Sequence, residues 1–367
     1  MGDKVIYHSK PTIGIEEEEA VLEVIRSGQL SQGPRVLEFE NLVASYIGKK
    51  YAIAVSSGLA ALHLSLIGLG VNEGDEVILP SYTCDALLQA VLYVRAKPKI
   101  VDVNYEDGNI SFEDTLRVIS DRTKAIIIPH TFGFPADLSN FLNLSIPIIE
   151  DCAVAIGGSY KGRKLGSFGK VSVFSFYATK MVATGEGGMI LTDDEEIADK
   201  VRELRDYTKH TTFKIRYNYK MTDIEAALGT CQIRKLDRFI EKRKVLFNRY
   251  MKLLKNRDDI VFPYYNYEEG TIPSFYRFII KLPRYNINYV IESMRNRGII
   301  CGRGVLQPLH RLLGLSSTIY PNSERLSKEV ISLPLYPSLS IEEINYVAES
   351  LLETLEIICK VGEGDLL

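Results

Sequence analysis

Between residues 51 and 192, short apolar runs alternate with amphipathic stretches. The runs fall at 51–55, 76–79, 99–103, 125–129, 147–150, 171–176 and 189–192, and most are rich in Val, Ile and Leu. Strands that read as continuous apolar runs are buried on both faces. This predicts a mostly parallel sheet covered by helices, an α/β fold. A helix is expected over 16–27, where Val21, Val24 and Ile25 share a face ahead of Gly28, and a second is marked by Val36, Phe39, Val43 and Tyr46. Residues 58–69 continue helically, and helices are expected around 84–94, 112–119 and 137–143. From Met221 to about Leu254 the pattern is long, periodic and charged, giving two helices or one bent helix.

The polar stretch 256–272, with Pro263 and Gly270, reads as a boundary loop. Beyond it come a strand over 275–281, a helix over 288–297, a strand over 330–333 and a final helix over 341–357. The expected division is a large domain, residues 1–255 with an N-terminal arm, and a smaller α+β domain, residues 256–367. Residues 362–367 read as a frayed tail.

Charge and cysteine usage change this picture only by exclusion. A net charge of −3 and a pI near 6.1 give no electrostatic reason to expect nucleic acid or an anionic membrane as partner. No apolar run is long enough to span a bilayer, and Met1–Ile6 has no apolar leader. The five cysteines (84, 152, 231, 301 and 359) lack C-x-x-C spacing. They read as reduced thiols of a cytoplasmic protein, with no metal site.

Candidate chemistry centres on Lys180, which follows the apolar run at 171–176 and precedes Gly185-Glu186-Gly187-Gly188. Ser175 lies five residues before it, and Asp151 ends the run at 147–150. A lysine, an acid at a strand end and this serine suggest a pyridoxal phosphate site. The lysine condenses with the aldehyde, the acid protonates the pyridine nitrogen and the serine binds phosphate. Ser57 and Gly58 follow the first strand and open a helix, a second place for an anion. Taken singly, each also has a plainer reading: a strand-to-helix turn, a capping aspartate, a solvated lysine. His130 follows a strand and could line the crevice, and Arg303, between Gly302 and Gly304, could reach a substrate anion.

In order along the chain, several segments resemble the DegT/DnrJ/StrS family of sugar aminotransferases. They are Gly28–Pro34, Ala54–Gly58, Gly74–Thr83, Glu150–Ala153, Lys161–Arg163, Leu165–Gly169, the Ser175, Lys180 and Gly185–Gly188 block, Tyr217–Met221, Asp223–Ile224, Glu324–Ser327 and Leu333–Leu335. The resemblance implies the type I fold of pyridoxal phosphate-dependent transferases, with a large seven-strand-type sheet domain. It implies Lys180 and Asp151 as catalytic residues. Ser57, Gly58, Leu59, Ser175 and Cys84 would line the cofactor, and Asn218 would reach the phosphate across a homodimer interface. Tyr82, His130, Gly185, Glu186 and Arg303 are the substrate candidates.

Two positions depart from the family pattern. Val154 stands where a Gln or His often touches the ring, and Cys84 where an aromatic often stacks on it. The implied reaction moves an amino group from an amino acid, by analogy glutamate, to a nucleotide-linked keto-deoxysugar. A sugar dehydratase on the same scaffold is an alternative that Lys180 opposes, because that branch carries histidine there. An aminocyclitol aminotransferase and a non-catalytic regulatory homologue are the others.

Overall fold

Hydrophobic strands that cannot face water determine the architecture. The computed structural model describes residues 5–208, 210–263 and 268–361, so the expected tail at 362–367 and part of the boundary loop lie outside the described residues. Two helices come first, α1 (Ile15–Ser27) and α2 (Pro34–Ile47). Then follow β1 (Tyr51–Val55), α3 (Gly58–Gly68), β2 (Glu76–Pro80), α4 (Ala86–Tyr93), β3 (Lys97–Val101), α5 (Phe112–Val118), β4 (Thr123–Pro129) and β5 (Ile148–Asp151). A small hairpin, β6 (Ser159–Tyr160) and β7 (Arg163–Lys164), precedes β8 (Val171–Ser175), β9 (Gly188–Thr192) and α6 (Glu195–Arg205).

The seven-stranded sheet has the order β1-β9-β8-β5-β4-β2-β3. Only β9 runs antiparallel to its neighbours β1 and β8. Alternate residues of each strand enter two cores. Ile126, Ile128 and Phe174 pack with Phe39 on one face, while Ile127, Ile149 and Val173 pack with Leu64 and Val91 on the other.

α7 (Asp223–Leu254) is one continuous helix, started by a reciprocal cap between Thr222 and Glu225. Its first half packs on α2, and its second half joins another core with Phe278, Ile331 and Val347. That core holds β10 (Phe278–Lys281), α8 (Ile287–Asn296), β12 (Val330–Leu333) and α11 (Ile341–Val361), with β11 (Gly302–Arg303) paired to β12, while α9 (Leu309–Leu312) sends Leu309 into the core under the large sheet and α10 (Pro321–Glu329) packs Leu326 with Tyr82 and Phe132. The order of the smaller sheet is β10-β12-β11. Among the described residues, no helix is long and apolar enough to cross a membrane.

The helix expected over 137–143 is not formed. Only a 3-10 turn, Phe141–Asn143, occurs there. Asp137 Oδ1 accepts the Ser139 N–H, an Asx turn that competes with helical bonding. Helices α6 and α10 had no counterpart in the sequence reading.

Arg205, buried at the end of α6, locks the sheet edge. Its Nη1 donates to Glu40 Oε1 (2.6 Å) and to the Ala54 carbonyl (2.8 Å), while the Ala54 N–H donates to the same Glu40 oxygen (2.8 Å). Arg205→Ala leaves a buried carboxylate without its cation and should cost about 3–5 kcal/mol of stability. Urea unfolding of the two proteins checks this, and a loss below about 1 kcal/mol would mean that water takes over the arginine's role.

Candidate active site

The carboxyl ends of β4, β5 and β8 open onto a cavity of about 580 Å³. Ligands of open α/β sheets bind at such ends. Ser57, Gly58, Leu59, Tyr82, Cys84, His130, Asp151, Val154, Ser175, Lys180 and Glu186 all line it. These residues come from segments far apart in sequence and meet only through strand order.

Lys180 sits in the link from β8 to β9. Four backbone bonds hold that link: Phe176 N–H to Gly187 O (2.8 Å), Ala178 N–H to Gly185 O (3.0 Å), Lys180 N–H to Tyr177 O (2.8 Å) and Thr184 N–H to Phe176 O (2.8 Å). The lysine therefore projects from a fixed platform. Gly185 supplies a left-handed turn there (φ 92°).

Adjacent acids at the end of β5 have opposite fates. Glu150 is fully buried, and it accepts hydrogen bonds from His130 Nε2 (3.0 Å) and from the N–H groups of Gly166 (2.5 Å), Phe168 (2.9 Å) and Gly169 (2.9 Å). Burial would raise its pKa, but His130 and the backbone donors outweigh that and hold it below the usual value. Asp151 receives one N–H, from Ala153 (2.9 Å), and no other described group donates to its carboxylate. Burial pushes its pKa up, against the opposing pull of that N–H and of Lys180.

His130 is fully engaged in this network. Its Nδ1 accepts the Ala136 N–H (3.0 Å), so the proton resides on Nε2 and goes to Glu150. Neither ring nitrogen is left for a substrate. Cys152 brings its sulfur within 4.8 Å of both, yet every Glu150 oxygen already has donors.

α3 starts at the cavity. Ser57 Oγ caps the Ala60 N–H, while the N–H groups of Gly58 and Leu59 remain open. A Cβ on Gly58 would lie 2.9 Å from Ser175 Cβ, so only glycine allows that serine beside the helix end. Two open N–H groups, a hydroxyl and a helix dipole make a phosphate cradle. A buried acid lacking a second donor suits a pyridinium N–H, and Lys180 supplies the amine. The donor set fits pyridoxal phosphate.

Other candidates are placed differently. Tyr82 is wholly buried with its hydroxyl on the Leu326 carbonyl (3.3 Å) and its ring against Phe132, so it is a fixed wall. Cys84 stays in the wall, its thiol pKa raised by burial. Asn218 is exposed and does not line this cavity. Arg303 does not line it either: its Nη1 approaches the Ser327 carbonyl (3.4 Å). The cavity arginine is Arg277, next to Tyr276. Both lie at the start of an apolar run and carry no motif, so nothing local marked them.

The chain matches the DegT/DnrJ/EryC1/StrS aminotransferase family over residues 11–352. It is 35% identical to GDP-perosamine synthase of Escherichia coli O157:H7, over 94% of this chain and 97% of that protein. The aminotransferase TlmJ from Streptoalloteichus hindustanus has the same fold, with a TM-score of 0.92 at 29% identity, covering 96% of this chain and all of that one. The PLP-form structure of Spr1654 from Streptococcus pneumoniae gives 0.91 at 27% identity, covering 97% and 100%.

In the cofactor-free protein the under-solvated Asp151 charge opposes folding. Asp151→Asn should therefore raise the thermal midpoint at pH 8. Because the folded carboxyl pKa is raised, the wild type recovers stability as pH falls through it, and the difference shrinks on acidification. Scanning calorimetry across pH tests the sign. A midpoint lowered by the substitution at pH 8 would mean that the carboxylate is paired in the apo-protein.

Proposed function

The chain belongs to the DegT/DnrJ/EryC1/StrS aminotransferase family, and on that premise we propose that it moves an amino group from glutamate to a keto group of a nucleotide-linked deoxysugar. The coarser activity, a pyridoxal phosphate-dependent aminotransferase of amino-sugar biosynthesis, follows from the family and its relatives. The nature of donor and acceptor is what the proposal adds. The observation that carries it is the convergence of Lys180, Asp151, Ser175 and the open N-terminus of α3 on one cavity.

Bound pyridoxal phosphate supplies an aldehyde that condenses with amines and a ring that accepts electron density from the activated carbon. The chain's residues do the rest. Gly58 and Leu59 N–H groups and Ser175 Oγ hold the phosphate. Asp151 keeps the ring nitrogen protonated and thereby positively charged. Lys180 Nζ is the amine that would hold the cofactor's aldehyde, and as a free amine it would take the proton from the donor's α-carbon and hand it on. With the acceptor the same lysine runs these proton transfers in reverse. Val154 and Cys84 wall the ring where the family often has larger groups.

The reading includes a homodimer. Asn218 is exposed and does not line its own cavity, which is compatible with its serving a partner's phosphate. GDP-perosamine synthase supports the nucleotide-linked acceptor by its name and its 35% identity.

Absorbance of purified protein with added pyridoxal phosphate tests the first half-reaction. The wild type should gain a visible band that glutamate bleaches to a shorter-wavelength form. Lys180→Ala should not cycle between the two. Failure of the wild type to take up the cofactor would sink the reading. Uptake with no response to glutamate would move the donor to another amine.

A further inference from the structure

Apart from Lys180, the cavity wall carries one permanent cation among the described residues, Arg277. It is half-buried, and no described carboxylate pairs with it. A partly desolvated guanidinium without an anion is costly unless a ligand supplies one.

Its placement is built. Phe275 holds a left-handed backbone (φ 55°), unfavourable for a bulky side chain, and so aims the next two residues. The Ser274 N–H bonds the Gly133 carbonyl (3.0 Å), and Ser274 Oγ bonds the Val154 carbonyl (2.9 Å). The Tyr276 carbonyl accepts from buried Arg243 (2.9 Å). The Tyr276 ring lies near both cations: Arg277 Cζ is 5.1 Å and Lys180 Nζ 5.8 Å from its centroid. Burial alone would raise the Tyr276 pKa, but Arg277, Lys180 and a hydrogen bond with Thr179 bring it down to about 8.

We propose that Arg277 binds the α-carboxylate of the amino donor. The assignment rests on the aminotransfer reading above. An amino acid carries its carboxylate on the carbon that bears the reacting amine, so its partner must stand close to Lys180. The diphosphate of a nucleotide sugar hangs several bonds from the keto carbon and calls for a cation farther out. Held by Arg277, the donor presents its α-proton to Lys180 in one orientation.

The test is the donor half-reaction of the cofactor-loaded protein, followed by loss of its visible band, with glutamate and with benzylamine, which has no carboxylate. In Arg277→Gln the ratio of the two rate constants, glutamate over benzylamine, should fall roughly 30-fold, the order expected for losing one charge-assisted pair. Arg277→Lys should recover part of it. Calorimetry adds a readout without turnover: glutarate should bind the wild-type holoprotein and weaken by a similar factor in Arg277→Gln. If benzylamine is unreactive, this titration decides.

Equal losses with both amines would mean a structural role and overturn the assignment. So would an intact ratio with a defect confined to the acceptor half-reaction, which would give the guanidinium to phosphate. Wild-type protein inert to every amine, yet binding glutarate through Arg277, would overturn the aminotransfer reading and leave only a carboxylate site.

Discussion

Two adjacent acids end the central strand, and the pleat forbids them the same side. Glu150 turns inward, where His130 and three backbone N–H groups neutralise it. Asp151 turns to the cavity with a single backbone donor. Much of the site depends on this division. The satisfied acid ties the loops after β4 and before β8 to the strand, and the first of these carries cavity wall at His130, Thr131 and Phe132. The unsatisfied acid is fixed by the same strand, so its unmet need for a proton donor is held at one point in space.

The second core extends this constraint from below. α7 begins on the large sheet and ends among the packing of β10, β12 and α11. Arg243, buried on its length, bonds the carbonyls of Tyr276 and Leu335 (2.9 and 2.7 Å). A helix interior thereby sets the position of a segment that reaches into the cavity from the other core. Ser81 and His310 make a comparable tie on the opposite wall, with Ser81 Oγ on His310 Nδ1 (2.5 Å) and His310 Nε2 on Glu324 (2.9 Å). The loop before α9, including Gly304 and Val305, is held against the cavity in this way.

Much of this was legible in the sequence where one force dominated. All seven strands of the sheet stood out: the inner ones because burial on both faces leaves little room for polar residues, and β3, at an edge, through Ile100 and Val101 despite its two lysines. Asp151, Ser57, Gly58 and Ser175 were legible because a strand end or helix start gives each a direction, and Lys180 because it stands between an apolar run and a glycine-rich turn. The helix over 137–143 failed where side-chain bonds of Asp137 outbid the periodic pattern. His130 was read as a crevice residue, but its role follows from Glu150 and Ala136, partners that no local pattern names. Arg303 and Arg277 show the same limit: glycines advertised the first, while the second depends on a strained backbone at Phe275 and on docking between distant segments.

The antiparallel β9 has a consequence for how much change the chain can absorb. Parallel neighbours such as β4 and β5 are joined by crossovers that travel over the sheet, and such crossovers can lengthen with little cost in closure entropy. β8 and β9 instead are hairpin partners, and Lys180 rides on the bonded link between them. An insertion there has no slack to enter: it must break the bonds that aim the amine. Within the seven-stranded sheet, the shortest link between neighbouring strands, from Phe176 to Gly187, is therefore the one where evolution or engineering can vary sequence length least.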